Sequence, residues 1–259
     1  MPAHYDTIGK TYTSTRAADP RISGRLGSLL GLAEGANLVD IGAGSGNYSY
    51  ALAKLGYQVQ AVEPSAIMRA QAKSHPRLQW CAAGAEALPF NDAEFDGAVM
   101  TLCLHHFRSW QTGIEEALRV SGGGPLVVFA FDIEHKADFW LFDYFPHFVD
   151  IDLTSSQTIN EIELFVTNQL KTDFYREPFA LPKDLIDHFA AADWARPHNY
   201  LDKTYRDGIS TFHKLQDADL KNRLEVLRED LDNGGWQEKY GALLDNATYD
   251  RGYLFMRIG

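Results

Sequence analysis

Short hydrophobic runs alternate with amphipathic segments along the first half of the chain. This alternation is typical of α/β folds in which helices connect the parallel strands of a single sheet. The runs predict strands at residues 38–41, 58–63, 78–82, 95–100 and 126–131, and the segments between them predict helices at 48–55, 65–74 and 110–120. The first half therefore predicts a doubly wound parallel sheet.

The pattern changes after Asp132. The next 25 residues are rich in aromatic side chains and have no clear period, and a proline in the following strand-like run favours an irregular or edge position. The second half predicts an aromatic segment at 133–157, a helix at 158–170, a sixth strand at 174–181, a mostly helical insert at 182–249 and a last strand at 252–258. Residues 1–259 are expected to form a single domain with its core at 37–132.

Composition narrows the function classes. The net charge is −11, with no cluster of lysine and arginine, which disfavours a nucleic acid or an anionic membrane surface as the partner. No apolar run reaches the roughly 18–20 residues that a membrane span needs, and the first residues lack the pattern of a signal peptide, so a cytoplasmic protein is expected. Cys81 and Cys103 lie in strand-like runs and are interpreted as reduced core residues, and no metal site is expected because the histidines lack zinc-site spacing.

The most informative stretch is the turn that follows the first predicted strand. Residues 39–48 read VDIGAGSGNY, so that Gly42, Gly44 and Gly46 connect a hydrophobic strand to a helix. Glycine permits positive φ angles and lets a ligand approach the backbone, and the amide groups at the start of the helix are unpaired. In open α/β sheets, the crevice at the carboxyl ends of the strands is where ligands bind.

Spacing separates this turn from the dinucleotide fingerprint. That fingerprint is G-x-G-x-x-G, whereas here the third glycine comes one residue early and Asn47 holds its usual place. The run DIGAGSG closely resembles motif I of the class I S-adenosylmethionine-dependent methyltransferases. The resemblance implies a seven-stranded Rossmann-like sheet of order 3-2-1-4-5-7-6 with the last strand antiparallel, and S-adenosylmethionine as cofactor with S-adenosylhomocysteine as product.

Further motifs of that family follow in order. Glu63 ends the second strand, where the family places a carboxylate that accepts hydrogen bonds from both ribose hydroxyls. The segment AEALPF at 85–90 resembles the adenine-binding segment of ubiquinone-biosynthesis-type methyltransferases, but Gly84 stands where the family usually has aspartate. One side-chain contact to the adenine amino group is therefore expected to be absent or replaced.

The segment TLCLHHF at 101–107 matches the stretch that contacts the methionyl part of the cofactor and faces the acceptor. His105 and His106 invite a role as general base, because imidazole titrates near neutral pH, but a structural role for either is equally compatible with the sequence. By the resemblance, the cofactor-binding residues are Tyr12, Arg16, Asp40, Gly42, Ala43, Gly44, Gly46, Glu63, Pro64, Met68, Ala85, Glu86, Thr101 and Leu102. The resemblance also implies that residues 1–36 form a helical cover over the core at 37–132.

The two segments at 133–157 and 182–249 both leave the predicted cofactor edge of the sheet, so they are expected to form a helical and aromatic cap over the acceptor. The predicted acceptor-pocket residues are Trp140, Tyr144, Asp187 and Trp194. These aromatic residues also suit a hydrophobic core. The sequence leaves the acceptor's identity open.

We therefore expect a methyltransferase that acts on a small-molecule acceptor by in-line displacement, as a monomer or homodimer. Two alternatives remain. A non-catalytic module would bind S-adenosylmethionine without turnover. A nicotinamide-dependent oxidoreductase would share the strand, glycine turn, helix and acidic residue, although Asn47 and the segment at 85–90 disfavour it.

Overall fold

A seven-stranded sheet forms the centre of the computed structural model, which describes residues 15–135, 139–155 and 157–259. Its strands are β1 Asn37–Ile41, β2 Gln58–Val62, β3 Leu78–Cys81, β4 Gly97–Thr101, β5 Leu126–Phe131, β6 Phe174–Pro178 and β9 Tyr253–Ile258. Two short strands, β7 Leu181–Pro182 and β8 Thr248–Tyr249, pair with each other outside this sheet. The central strands are buried on both faces, which explains their nearly continuous hydrophobic sequences.

The strand order is β3-β2-β1-β4-β5-β9-β6, and β9 runs antiparallel to both of its neighbours. This order and direction confirm the predicted sheet, with β9 as its seventh strand. Ile41 pairs with Val62 at the ends of β1 and β2. The residues that follow these two strands therefore lie side by side at the carboxyl edge of the sheet, as a ligand-binding crevice requires.

Helices cover both faces of the sheet. They are α1 Pro20–Leu30, α2 Asn47–Lys54, α3 Ala66–Arg69, α4 Trp110–Val120, α5 Leu141–Tyr144, α6 His147–Ser155, α7 Ile159–Leu164, α8 Lys203–Asp207, α9 Asp217–Asn233 and α10 Gly235–Tyr240. Polar side chains start several of them: Asp19 caps α1, and Ser109 caps α4 by accepting a hydrogen bond from the Thr112 amide.

Three predicted elements are shorter than the hydrophobic pattern suggested. The helix predicted at 65–74 ends at Arg69, and turns carry the chain to Pro76, which disfavours helical backbone at the residue before it. The helix predicted at 158–170 changes to a π-helical turn after Leu164. The sixth strand ends at Pro178, opposite Leu254 of β9, because proline has no amide hydrogen to donate to a ladder.

The residues between β7 and β8 form an insert whose two ends are held together. Leu181 pairs with Tyr249, and Pro182 pairs with Thr248. The insert packs with the segment at 139–148, and with α1 and α2, in one continuous hydrophobic cluster. No helix in the part of the chain that the structure describes is long and apolar enough to cross a membrane.

Candidate functional site

The glycine turn folds back over the end of β2. Gly42, Gly44 and Gly46 have φ angles of 73°, 59° and 76°, which lie in the left-handed region that favours glycine. The amides of Gly42 and Ala43 both donate to the Val62 carbonyl, at 2.9 and 3.0 Å. The turn is thereby fixed against β2 before α2 begins.

The three glycines have different surroundings. A Cβ atom on Gly42 would lie 2.7 Å from the Cβ of Cys103, and one on Gly46 would lie 2.5 Å from the ring of Trp80. Among the described residues, a Cβ on Gly44 would meet only the Cε of Met68, at 3.3 Å. Gly44 therefore leaves space for a ligand, whereas Gly42 and Gly46 also let the turn pack closely against its neighbours.

A cavity of about 980 Å³ opens where this turn meets the carboxyl ends of the strands. Its lining is Arg16, Asp40, Gly42, Ala43, Gly44, Ser45, Asn47, Tyr48, Glu63, Pro64, Met68, Ala83, Gly84, Ala85, Glu86, Ala87, Thr101, Leu102, Cys103, His106, Phe107, Arg108, Ser109, Thr112 and Asp187. The structure thus brings together the predicted cofactor-binding residues, with two exceptions. Gly46 does not line the cavity because it packs against Trp80, and Tyr12 lies outside the described residues.

Asp40 is buried at the end of β1, and its two carboxylate oxygens differ. Oδ2 accepts a hydrogen bond of 2.5 Å from the Ser49 hydroxyl, whereas Oδ1 has no hydrogen-bond partner among the described residues. Burial raises the pKa of Asp40 to about 6, and the negative charge of Glu63 adds to that rise, while the Ser49 hydrogen bond opposes it. An unpaired acceptor in this position suits a cationic or hydrogen-bond-donating ligand group.

Glu63 follows β2 and is held in place by backbone amides. The Gly44 amide donates to its Oε2 at 3.1 Å, and the Ser65 amide donates to its Oε1 at 2.8 Å. The carboxylate is therefore oriented by the glycine turn itself. A carboxylate has acceptor capacity beyond these two bonds, which suits recognition of a vicinal diol.

Met68 and Ala85 provide apolar parts of the cavity wall. The carboxylate of Glu86 accepts a hydrogen bond of 2.7 Å from the Arg108 amide, just before α4 begins. Glu86 therefore links two of the cavity's walls. Gly84 presents no side chain here, as the sequence predicted.

Arg16 and Asp187 close another side of the cavity. The Arg16 Nε lies 2.5 Å from Asp187 Oδ1, and the hydroxyl of Tyr48 donates to Asp187 Oδ2 at 2.8 Å. Asp187 was predicted to line an acceptor pocket; the structure places it in the wall of the larger cavity, where its ion pair and hydrogen bond turn it toward α2. Neither Tyr48 nor this pairing was predicted.

A second cavity, of about 90 Å³, lies beside the first and shares Arg16, Leu102 and His106 with it. Its other lining residues are His105, Phe131, Phe139, Leu141, Phe142, Phe148, Phe189, Ala190, Ala191, Gly208, Ile209, Ser210, Thr211, Lys214, Arg251 and Tyr253. Most of these residues come from the two segments that were predicted to form the cap.

A solved structure from Anabaena variabilis, described as a methyltransferase from an antibiotic biosynthesis pathway, is 40% identical in sequence to this chain. The two structures match with a TM-score of 0.90 over 95% of this chain and 99% of the other. The resemblance thus extends well beyond the glycine turn. The chain belongs to the class I S-adenosylmethionine-dependent methyltransferases.

Sequence relatives match less than half of this methyltransferase. A family profile described as a methyltransferase domain matches residues 39–129. An uncharacterized protein of Mycobacterium tuberculosis is 34% identical over 110 residues, which are 40% of this chain and 40% of that protein. A demethylmenaquinone methyltransferase of Tropheryma whipplei is 32% identical over 108 residues, which are 40% of this chain and 45% of that protein.

The two histidines of the methyltransferase lie at different places. His105 lines only the smaller cavity, where desolvation by burial lowers its pKa to about 4, assisted by the positive charges of Lys214 and Arg16. His106 lines both cavities, and the two rings lie 3.8 Å apart. Of the two, His106 is the one that lies where the two cavities meet.

Trp140, Tyr144 and Trp194 line neither cavity, so their prediction as acceptor-pocket residues is corrected. The Trp140 indole donates to the Trp194 carbonyl at 2.8 Å, and the Trp194 indole donates to the Leu181 carbonyl at 3.1 Å. Tyr144 donates to Asp230 of α9 at 2.6 Å. All three are buried because they join the insert to the segment before it, and their indole and hydroxyl groups are satisfied there.

Proposed function

We propose that this methyltransferase transfers the methyl group of S-adenosylmethionine to a small-molecule acceptor. The observation that carries the proposal is the junction of the two cavities at Arg16, Leu102 and His106. A cofactor in the larger cavity and an acceptor in the smaller one would meet there. The two cavities thus provide the arrangement that a displacement between two bound molecules needs.

The larger cavity fits the cofactor in three respects. The free Oδ1 of Asp40 and the Thr101 hydroxyl, both buried without hydrogen-bond partners among the described residues, are available to the methionyl end. Glu63, oriented by the glycine turn, suits the ribose diol. Met68 and Ala85 suit the flat apolar face of adenine.

The bound cofactor supplies a sulfonium methyl group that is already activated for displacement. The protein's part is then to align the acceptor with that methyl group and to exclude water. Alignment of this kind contributes roughly 7–11 kcal/mol to lowering a barrier. His106, at the junction, is the residue placed to take a proton from an acceptor that loses one, and the aromatic walls keep the reacting atoms away from water.

Three features favour a small acceptor. The second cavity is only about 90 Å³, its walls are largely aromatic, and the chain carries a net charge of −11, which disfavours nucleic acid. The Anabaena relative is described as belonging to antibiotic biosynthesis, and the Tropheryma relative is named for demethylmenaquinone; both descriptions are compatible with an acceptor of low molecular weight.

Calorimetry with S-adenosylmethionine, S-adenosylhomocysteine and a nicotinamide dinucleotide tests the cofactor assignment. We expect the first two to bind and the dinucleotide not to bind, and we expect Glu63→Gln to weaken binding at least tenfold. Arg69→Gln is a matched control, because the Arg69 guanidinium donates a hydrogen bond to the backbone carbonyl of Glu63, which the Glu63→Gln change leaves in place. Binding of the dinucleotide alone would contradict the proposal.

Turnover is tested separately by incubating the protein with methyl-labelled S-adenosylmethionine and a panel of small acceptors. We expect S-adenosylhomocysteine to accumulate only when an acceptor is present, together with a labelled product. Tight binding of the cofactor without turnover on any acceptor, small or macromolecular, would instead identify a non-catalytic binding module.

A further inference from the structure

Arg251 is a buried cation in the wall of the smaller cavity. It lies between β8 and β9, and only 8% of its surface is exposed. Its guanidinium carbon lies 4.8 Å from the ring centre of Phe142 and 5.8 Å from that of Phe139. Its Nη1 is buried without a hydrogen-bond partner among the described residues.

A buried guanidinium normally pairs with a carboxylate or carbonyl oxygens. The described residues place no carboxylate within ion-pair distance of Arg251. The adjacent Asp250 instead lies 3.5 Å from His135 and accepts a hydrogen bond from the Gly252 amide. Contact with aromatic faces offsets only part of the desolvation of a cation, so Arg251 is incompletely satisfied.

The charged residues in the wall of the smaller cavity also favour an anionic ligand. Arg251, Lys214 and Arg16 contribute positive charge, and no aspartate or glutamate is among the lining residues that the structure describes, although acidic residues outnumber basic ones in the chain by 35 to 24. Arg16 is paired with Asp187. Lys214 is exposed, and its positive charge contributes to the lowered pKa of His105, so it acts on a group inside the cavity. The cavity therefore favours an anion.

The rest of the wall is apolar and mostly aromatic. Phe131, Phe139, Phe142, Phe148, Phe189 and Tyr253 line this cavity together with the buried cation and with His106, which also lines the larger cavity. Aromatic walls of this kind favour a flat or apolar body. The planar fork of arginine matches the geometry of a carboxylate, to which it can donate two parallel hydrogen bonds.

We propose that the methyl acceptor is a small aromatic or otherwise apolar carboxylate, whose anionic group pairs with Arg251 while its reacting atom lies near His106. This proposal rests on the function proposed above. It assigns Arg251 a role in selecting the acceptor by charge, with Lys214 as a second, peripheral cation. Salt is expected to weaken binding only modestly, because the pair is buried.

Matched acids and amides test this proposal without knowledge of the natural acceptor. The probes are indole-3-acetate with indole-3-acetamide, and phenylacetate with phenylacetamide, titrated by ligand-observed NMR into protein saturated with S-adenosylhomocysteine. We expect each acid to bind at least tenfold more tightly than its amide. In Arg251→Met the preference should fall to within about twofold, Arg251→Lys should keep part of it, and Lys221→Gln, a change at an exposed lysine of α9, should leave it intact.

A melting curve and S-adenosylhomocysteine titration accompany each variant. If Arg251 variants do not fold, Lys214→Met carries the test, because Lys214 is exposed; its preference for the acid should fall by at least twofold. Equal binding of acid and amide, or no binding of either pair, with S-adenosylhomocysteine bound, overturns the acceptor proposal alone. A protein that binds no S-adenosylhomocysteine overturns the proposed function and the acceptor proposal with it.

Discussion

Arg16 and Asp187 are 171 residues apart in the chain and form an ion pair with an Nε–Oδ1 distance of 2.5 Å beside the cofactor cavity. Only 10% of the Arg16 side chain and 1% of the Asp187 side chain are exposed. The backbone carbonyl of Arg16 also accepts a hydrogen bond of 2.9 Å from the Asn47 side chain, at the start of α2. The insert, the segment before α1 and the glycine turn are therefore joined at one point.

We expect Asp187→Asn to reduce stability, because it leaves the Arg16 guanidinium without its carboxylate. Breaking a buried pair on one side costs about 3–5 kcal/mol, which corresponds to a decrease of roughly 6–20 °C in the melting temperature for a chain of this size. Asp184→Asn is the control: Asp184 pairs with Arg21 but is 82% exposed, so little change is expected. Similar melting temperatures for the two variants would contradict the importance of the buried pair.

The raised pKa of Asp40 predicts that the affinity for the cofactor depends on pH. Its pKa is raised to about 6 from 3.8, so in the free protein the carboxyl is protonated below pH 6, and stability falls as pH rises through 6. The affinity for the cofactor changes in the opposite direction and rises with pH, if the methionyl ammonium group pairs with the ionised carboxylate. We expect the affinity for S-adenosylhomocysteine, measured by calorimetry, to rise about tenfold between pH 5 and pH 7.

Asp40→Asn should remove this rise, because the amide does not titrate in that range. Ser49→Ala is a matched variant: it removes the hydrogen bond to Oδ2, which should raise the pKa of Asp40 further and move the rise to higher pH. A wild-type affinity that is flat from pH 5 to pH 7 would exclude Asp40 as the partner of the ammonium group.

The positions of the two histidines predict different kinetic effects. His106 lines both cavities, so we expect His106→Gln to lower kcat at least tenfold when the acceptor must lose a proton. His105 lines only the acceptor cavity and has a pKa of about 4, so it is neutral above pH 5 and should add no limb to the pH profile from pH 5 to 9. His105→Gln should mainly raise the acceptor KM. The reverse pattern would assign the proton transfer to His105.

The sequence predicted the sheet well because its central strands are buried on both faces and appear as uninterrupted hydrophobic runs. It also predicted many of the residues that line the larger cavity, because the glycine turn and Glu63 each follow directly from a strand end. Both are local features. Their spacing along the chain is enough to place them at one edge of the sheet.

The smaller cavity, which we propose holds the acceptor, could not be predicted in the same way. Arg251 and Lys214 belong to distant segments without a shared motif, and only the folded insert brings them to one wall. Trp140 and Trp194 were assigned to that wall because they are aromatic, but aromatic density alone does not distinguish a pocket from a core. The hydrogen bond between the Trp140 indole and the Trp194 carbonyl, which decides the matter, depends on tertiary structure.

The buried position of Trp140 predicts a stability effect. Its ring packs edge-on against Trp236 and Tyr200, with centroids 5.4 and 5.3 Å apart. We expect Trp140→Ala to cost about 3–5 kcal/mol in unfolding free energy, with unchanged affinity of the folded protein for S-adenosylhomocysteine. Val226→Ala, at a side chain that is 49% exposed, should cost little. A folded Trp140→Ala protein of normal stability that has lost only acceptor binding would restore the pocket assignment.

The three glycines of the turn predict a graded response to alanine. All have positive φ, which costs about 1–2 kcal/mol for a residue with a Cβ. At Gly42 the new Cβ would also lie 2.7 Å from Cys103, so Gly42→Ala should cost about 2–5 kcal/mol in unfolding free energy. At Gly44 only the flexible end of Met68 is near, so the loss of stability should be limited to the φ cost.

Cofactor binding should follow a different order, and this separates packing from recognition. Gly44→Ala narrows the cavity where the turn faces it, so it should weaken S-adenosylhomocysteine at least tenfold while the protein stays folded. Gly123→Ala is the control for backbone strain alone, because Gly123 has a φ of 80° and open space around it. Denaturant titration and calorimetry measure the two effects. If Gly44→Ala and Gly123→Ala bind S-adenosylhomocysteine equally well, the turn does not contact the cofactor at Gly44, and the positive φ there serves the path of the chain only.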